Sequence, residues 1–257
     1  VDMYGKCGSL VKAQEIFDEL PLRNVRSWNV LIAGYIQHGF FEDALKCFRQ
    51  MKDKGVSPNA ATFSSILKAC GSLGYLEMGK EIHEEVTKKD LLDENIVLGT
   101  ALVDMYAKCG SLEKAQELFH TLPPENVVSW NAMIASYVEQ GEDRKALFLY
   151  KLMHEEGMQP DQPTFVATIR ACGNVAEMEE SNTMIWLELG HALSLDCERL
   201  GFSLDVQVCN TLLSMYGKCG HITETESVFC VLPSRNVVSW NAMLSVYIDH
   251  NQGAKAM

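Results

Sequence analysis

Three cysteines stand in nearly the same word. MYGKCGSL begins at Met3, MYAKCGSL at Met105 and MYGKCGHI at Met215, so Cys7, Cys109 and Cys219 each follow a lysine and precede a glycine. Three kinds of site could repeat in this way: a reactive thiol activated by a nearby cation, a metal site built on thiolates, or an architectural element. The nine cysteines include no C-x-x-C pair. His83-Glu84-Glu85 matches the H-x-E half of a zinc deaminase signature, but no P-C-x-x-C follows it. No catalytic residue, metal site or cofactor is therefore expected.

Spacing favours architecture. Cys109 follows Cys7 by 102 residues and Cys219 follows Cys109 by 110. A second word keeps the same step: SWNVLIAGY at Ser27, SWNAMIASY at Ser129 and SWNAMLSVY at Ser239. A third, TFSSILKACG from Thr62 and TFVATIRACG from Thr164, also recurs at 102. Several words sharing one period and one slip of eight residues indicate tandem duplication with a single insertion, the signature of a repeat array. Cys70 and Cys172 share one repeat position, as Cys7, Cys109 and Cys219 share another. Cysteines fixed by a repeat pattern behave as small buried hydrophobes, so free thiols and a reducing compartment are expected.

The elements that carry these words are helices. Trp130, Met133, Ile134 and Tyr137 recur at i, i+3, i+4 and i+7, the period of an amphipathic helix. Ser129 is read as its N-cap and Gly141 as its stop. A second helix carries Ala146, Leu147, Tyr150 and Met153 on one face, and Gly157 with Pro160 ends it. Neither helix can hide its apolar face alone, so successive pairs must stack. The expected fold is all-α, a helical-repeat solenoid (an α-α superhelix of helix–turn–helix units) with first helices lining the concave face. No apolar run reaches the ~18 residues of a membrane-spanning helix, so no membrane partner is expected. The chain begins and ends within a repeat and reads as a piece of a longer protein.

Each period divides into units of 35, 36 and 31 residues. The boundaries fall at 1–24 (partial), 25–59, 60–95, 96–126, 127–161, 162–205, 206–236 and 237–257 (partial). The eight extra residues fall in 162–205, within Glu177–His191. A tetratricopeptide reading keeps Trp28, Leu31, Tyr35, Ala44 and Phe48, but Ile32, Ile134 and Leu244 stand where that motif wants a small residue. The alternating lengths instead resemble the pentatricopeptide repeat family of plants, in its P–L–S subfamily. VVSWNAMIASYVEQGEDRKALFLYKLMHEEGMQPD resembles the P-type unit, TFSSILKACGSLGYLEMGKEIHEEV the L-type and LGTALVDMYAKCGSLEKAQELFHTLPPEN the S-type.

The resemblance implies single-stranded RNA as partner, in a mitochondrion or chloroplast, read one base per repeat. In that family the fifth and last residues of a unit read the base. They are Asn29 with Asn59, Ser64 with Asn95, Thr100 with Asn126, Asn131 with Asp161, Val166 with Asp205 and Asn210 with Asn236; Asn241 opens a pair left incomplete. By the family's pairs they spell 5′-C-A-A-U-N-C-3′, the second letter weakly. Residues flanking the base would be Arg26, Val97, Val128 and Val238, with Ala61, Pro163 and Gln207 in the remaining units. Lys6, Lys108 and Lys218 fall eight places after the reading position, where the groove approaches phosphates. Each position also has an ordinary reading. Asn or Asp before a helix is a common cap or turn residue, and a Lys near a helix C-terminus complements the dipole.

Charge argues the other way. With 22 basic and 34 acidic residues the net charge is −12, which disfavours strong non-specific RNA binding. A groove poorer in acids than the outer surface reconciles the two, since Glu42, Asp43, Glu142 and Asp143 begin second helices and should face outward. The alternative is a protein–protein scaffold of tetratricopeptide type. Subfamily members of this kind often carry a C-terminal deaminase-like domain and act in C-to-U editing. The resemblance therefore implies a recognition role for this chain in editing or RNA processing, with other editing-factor proteins as further partners.

Overall fold

A computed structural model describes residues 1–92, 95–123, 126–179 and 183–249. These form α-helices joined by turns, and among the described residues there is no strand. The chain divides into two compact units, Val1–Met133 and Ile134–Met257.

In the first unit the helices alternate. First helices of each repeat are α1 (Asp2–Lys6), α3 (Val25–Gln37), α5 (Ala60–Leu73) and α7 (Ile96–Lys108). Second helices are α2 (Leu10–Glu19), α4 (Phe41–Asp53), α6 (Leu76–Lys88) and α8 (Leu112–Thr121). Each first helix packs on the next first helix, and each of α2, α4 and α6 packs both on its own partner and on the first helix that follows. That double contact explains the apolar pattern. Leu31, Ile32, Leu102 and Val103 are buried on first helices, and Ala44, Leu45, Phe48 and Met51 on a second helix. Phe17 of α2 meets Trp28 of α3 edge to face, ring centroids 4.6 Å apart, and Phe119 of α8 meets Trp130 in the same way at 4.8 Å.

Helix α9 (Val127–Glu139) runs through the division. Trp130, Met133, Ile134 and Tyr137 are all buried, as their spacing predicts. Gly141, at φ 74°, closes the helix. Ser129 is not its N-cap. It lies inside the first turn, where its hydroxyl donates to the Asn126 carbonyl at 2.7 Å, while the Asn126 side chain accepts the Val128 N–H at 3.2 Å. The cap is therefore the residue that ends the preceding repeat.

The second unit continues with α10 (Asp143–Glu155), α11 (Gln162–Met178), α12 (Thr183–Arg199), α13 (Val206–Lys218), α14 (Ile222–Val231) and α15 (Val237–Asp249). Here α11, α13 and α15 pack in sequence, with α10, α12 and α14 bridging to the first helices that follow them. The insertion in 162–205 lengthens helices. The two helices of this repeat have 17 residues each, against 14 and 13 in α5 and α6. Three of the residues between them, 180–182, lie outside the described residues, as do 250–257 of the last repeat.

Two expectations need correcting. Asp143 does not face outward: it is 4% exposed and accepts a hydrogen bond from Asn174 at 3.0 Å, so its carboxylate joins two successive repeats. The cysteines are free, and the repeat position buries most but not all of them. The Cys109 thiol reaches back to the Cys70 carbonyl oxygen on the preceding first helix, at 3.8 Å. Cys7, the C-cap of α1, is exposed. Burial pushes the thiols of Cys47, Cys70, Cys172 and Cys197 up to about 12, so at pH 8 they carry almost no thiolate. Native titration with a thiol-reactive dye at pH 8 should show a fast phase confined to the exposed Cys7 and Cys230, with the others reacting only on unfolding. A fast phase that includes any of those four buried thiols would refute the core assignment.

The word ending in Ala-Cys-Gly has its reason at the seam between first helices. A Cβ built on Gly71 would stand 3.3 Å from the Met105 Cα, and one on Gly173 would stand 3.2 Å from the Met215 Cα. Backbone meets backbone there, and glycine leaves the room.

Candidate nucleic-acid interface

Asn29 with Asn59, Thr100 with Asn126 and Asn210 with Asn236 meet across repeat boundaries because the last residue of each repeat caps the next first helix. Asn59 illustrates how. It is the N-cap of α5: its Oδ1 accepts the Thr62 N–H at 3.1 Å, and the Thr62 hydroxyl accepts the Asn59 N–H at 3.2 Å, which completes a capping box. One turn into α3, Asn29 donates through Nδ2 to the same Asn59 Oδ1 at 3.0 Å. Asn59 is exposed, and its Nδ2 has no protein partner among the described residues.

The other pairs vary this arrangement. Asn126 donates through Nδ2 to the Thr100 hydroxyl, which in turn donates to the Ile96 carbonyl at 2.8 Å. Asn210 Nδ2 lies 3.5 Å from Asn236 Oδ1, and Asn236 caps α15 by accepting the Ser239 N–H at 3.0 Å. Asp161 caps α11 in a capping box with Thr164, the geometry of Asn59 with Thr62. Asn131, the fifth residue of its repeat, is half-buried. The L-type positions differ. Asn95 caps α7, but no hydrogen bond joins it to Ser64 among the described residues. Asp205 accepts from Gln162 Nε2 at 3.1 Å while capping α13, so a neighbouring side chain occupies its carboxylate, and Val166 offers no polar atom. Asn241 is exposed at the end of the described chain.

Around these pairs lies an open face of the first helices. In the first unit Lys6, Arg26, Asn29, Ala33, Asn59 and Ala61 line one groove. In the second unit Arg170, Asn174, Asn210, Lys218 and Val238 line its repeat equivalent. The second residues of the repeats, Arg26, Val97, Val128 and Val238, are all exposed beside it. Lys6, Lys108 and Lys218 end α1, α7 and α13 and are each engaged: Lys6 with Asp2 at 3.0 Å, Lys108 with Asp104 at 2.8 Å, and Lys218 with Glu177 at 2.7 Å and Asn174 at 2.9 Å. Lys68, exposed, occupies in α5 the position of Arg170 in α11. The acidic excess lies largely elsewhere, on second helices such as α4 and α6, whose Glu42, Glu77, Glu81 and Glu84 are exposed.

The opening motifs are accounted for in the same frame. His83, on α6, shares a hydrogen bond with the Tyr106 hydroxyl at 3.0 Å, and burial lowers its pKa. Among the described residues no three His, Cys, Asp or Glu side chains gather as a metal would need, and no helix is long and apolar enough to cross a membrane. Sequence reasoning missed Thr62, Thr164 and Ser239, the third residues of their repeats, which hold the caps. The signal was present as the Asn/Asp-x-x-Ser/Thr spacing of a capping box.

Comparison with known proteins agrees with this geometry. A model described as the PPR repeat family matches residues 23–72 and 125–174, and a model of the single PPR repeat matches 1–25, 61–91, 100–122 and 208–237. A chloroplastic pentatricopeptide repeat-containing protein of Arabidopsis thaliana is 36% identical over 256 residues, covering 100% of this chain and 30% of its own length. A mitochondrial one from the same plant is 35% identical over 256 residues, covering 99% and 39%. The chain thus spans about a third of the length of the curated relatives it matches. Among solved structures, that of the pentatricopeptide repeat protein PPR10 in complex with an 18-nt psaJ RNA element superposes with a TM-score of 0.74, at 21% identity, covering 98% of this chain and 37% of that one. Repeat models matched along most of the sequence, likeness to named relatives along the whole of this chain and a shared fold lead to one conclusion: the chain belongs to the pentatricopeptide repeat family.

Proposed function

We propose that this chain is the sequence-reading part of an organellar RNA-binding protein, holding single-stranded RNA along the first helices, one base per repeat. The observation that carries the reading is the Asn29–Asn59 contact at 3.0 Å. Two side chains 30 residues apart come together at an exposed boundary, and the pattern recurs with Thr100–Asn126 and Asn210–Asn236. Each pair offers short donors and acceptors that suit the Watson–Crick edge of a splayed base. Exposed Arg26, Val97, Val128 and Val238 supply stacking or apolar surface for its flanks. PPR10 holds an 18-nt RNA on the same fold, which supports the reading.

The repeats follow the P–L–S order, and in the L-type ones the pairs contribute little, in keeping with the separated Ser64 and Asn95 and the occupied Asp205. By position, Asn131 and Asp161 read uridine. The assigned string is 5′-C-A-A-U-N-C-3′. Lys6, Lys108 and Lys218 are placed for phosphates. The Lys6–Asp2 pair is largely solvent-exposed and worth about 0–1 kcal/mol, while those of Lys108 and Lys218 are partly covered; a phosphate most readily displaces the carboxylate at Lys6. In the whole protein this region serves C-to-U editing or RNA processing, in a mitochondrion or chloroplast.

The test is a competition. The chain should bind a short RNA containing the string, and an unrelated single strand of equal length should need about tenfold higher concentration to displace it, the discrimination of one well-read base. Equal competition by both strands would remove sequence reading. Binding to neither, with peptide ligands bound instead, would favour the scaffold.

A further inference from the structure

We propose that Thr62, a fully buried residue that can touch no base, fixes which way the Asn29–Asn59 pair faces and so makes that repeat read cytidine rather than uridine. The proposal rests on the RNA-reading function above. Thr62 is 0% exposed and is the third residue of the following repeat. Its hydroxyl accepts the Asn59 N–H at 3.2 Å and lies 2.6 Å from Asn29 Oδ1 and 3.0 Å from Asn59 Oδ1. A hydroxyl has one proton to give, and the shorter contact takes it. Asn29 Oδ1 is then held on the Thr62 hydroxyl, and the Asn29 amide must point its nitrogen at Asn59 Oδ1, 3.0 Å away. That second oxygen also caps the Thr62 N–H at 3.1 Å.

Asn59 Oδ1 thereby has both lone pairs used, and Asn29 Oδ1 is held on the buried Thr62 hydroxyl. The hydrogens the pair keeps for a ligand are the second Nδ2–H of Asn29 and those of Asn59 Nδ2, so it meets a base chiefly as a donor. Cytosine presents acceptors at N3 and O2 and takes such donors. Uracil presents N3–H at the same place, where donor would face donor. An asparagine amide reverses its donor and acceptor ends by a half-turn of its last bond. Without the lock, the pair can turn an oxygen outward and accept from uracil.

A second pair in the chain has the same two residues and lacks the lock. At Asn210–Asn236 the third residue is Ser239, whose hydroxyl accepts the Asn236 N–H at 3.2 Å and reaches Asn236 Oδ1 at 3.0 Å. It makes no bond to Asn210. The Asn210 Nδ2 contact is stretched to 3.5 Å, and Asn210 Oδ1 is buried with no hydrogen-bond partner among the described residues. Identical reading residues therefore differ in how firmly they are oriented, and the Asn29–Asn59 repeat should discriminate cytidine from uridine more sharply than the Asn210–Asn236 repeat.

The experiment compares the 257-residue chain with Thr62→Val and Thr62→Ser, each bound to two RNAs that carry the string and differ only in C or U at its first base. Valine keeps the shape and removes the hydroxyl. The ratio of the two Kd values should fall about tenfold in Thr62→Val and stay at the wild-type value in Thr62→Ser. A purely structural role would weaken both RNAs alike and leave the ratio unchanged, which overturns the proposal while the RNA reading stands. Wild-type protein that binds neither RNA overturns both. Because Thr62→Val also strips the Asn59 N–H of its acceptor, a measurement on the wild type stands beside it. In nuclear magnetic resonance the Asn29 side-chain amide should exchange its hydrogens more slowly than that of Asn210. Equal exchange would show that no lock exists.

Discussion

Replacing Asn59 with Asp should move its repeat from cytidine towards uridine, and replacing Asp161 with Asn should move another repeat the opposite way. Each exchange alters one terminal atom at nearly constant size. A donor amide at position 59 becomes an acceptor oxygen, which suits the N3–H of uracil; at position 161 the reverse change suits the bare N3 of cytosine. The fold should survive both, for a reason visible in the structure. Asn59 and Asp161 perform the same task, each accepting the N–H of a threonine three residues on, at 3.1 Å and 3.2 Å, within a capping box. The exchange swaps one cap that the fold already uses for the other. A well-made polar contact discriminates between bases by ~1–3 kcal/mol, so the preference at the affected base should swing about ten- to a hundred-fold. Binding of each variant to RNA pairs differing at that one base, at a single stated salt concentration, measures it. Unchanged preferences in both variants would show the code to be misassigned.

Trp28→Ala should be among the costliest single substitutions, and Trp240→Ala a mild one, although both occupy the same repeat position. Trp28 is 2% exposed against Phe17; Trp240, met by Phe229 at 4.8 Å, remains 51% exposed. The Trp28 indole nitrogen is buried without a partner among the described residues, so the substitution removes packing and no hydrogen bond seen there. A fully buried tryptophan truncated to alanine costs ~3–5 kcal/mol. A half-exposed one should cost no more than about 2 kcal/mol, on the area it still buries. Trp130, 3% exposed, should behave like Trp28. Urea unfolding monitored by circular dichroism gives these differences. Equal losses for Trp28 and Trp240 would mean that burial in this chain does not govern the contribution of that position.

Much of this molecule was legible in its sequence because repetition does the work of an alignment. The period of the Trp and Cys words located the helix pairs, and the glycines at the turns marked their ends. The burial of Trp130, Met133, Ile134 and Tyr137 followed from their spacing. Other features were not legible, for reasons that lie between repeats. Asp143 looks like an ordinary first-turn acid; only the neighbouring Asn174 makes burial tolerable. Cys7 shares a word with Cys109 but is exposed, without the contact that Cys109 makes to the Cys70 carbonyl. Ser129 has the residue type of a cap, and type alone does not separate it from the first-turn residue it is. The true cap, Asn126, sits one turn earlier, in the residue also assigned to base reading. That double role hid the contribution of Thr62, a residue whose polar partners come from two different repeats.

On the proposed reading, one residue both caps a helix and reads a base, and that constrains how such an array can change its target over time. The last position of a repeat must accept the first backbone N–H groups of the next helix, and losing that ability costs about 0.5–2 kcal/mol. The residues that keep it are a short list, chiefly Asn, Asp, Ser and Thr. The vocabulary available for recognition is therefore the vocabulary that folding permits, and most substitutions at these positions are removed for instability before their specificity can matter. Within the permitted set, Asn and Asp are separated by a single transition in the first codon base. A gene for this array can trade one target letter for another in one mutational step without crossing an unstable intermediate. Under the proposed code, a target site that changes from C to U can be followed by its reader in one such step.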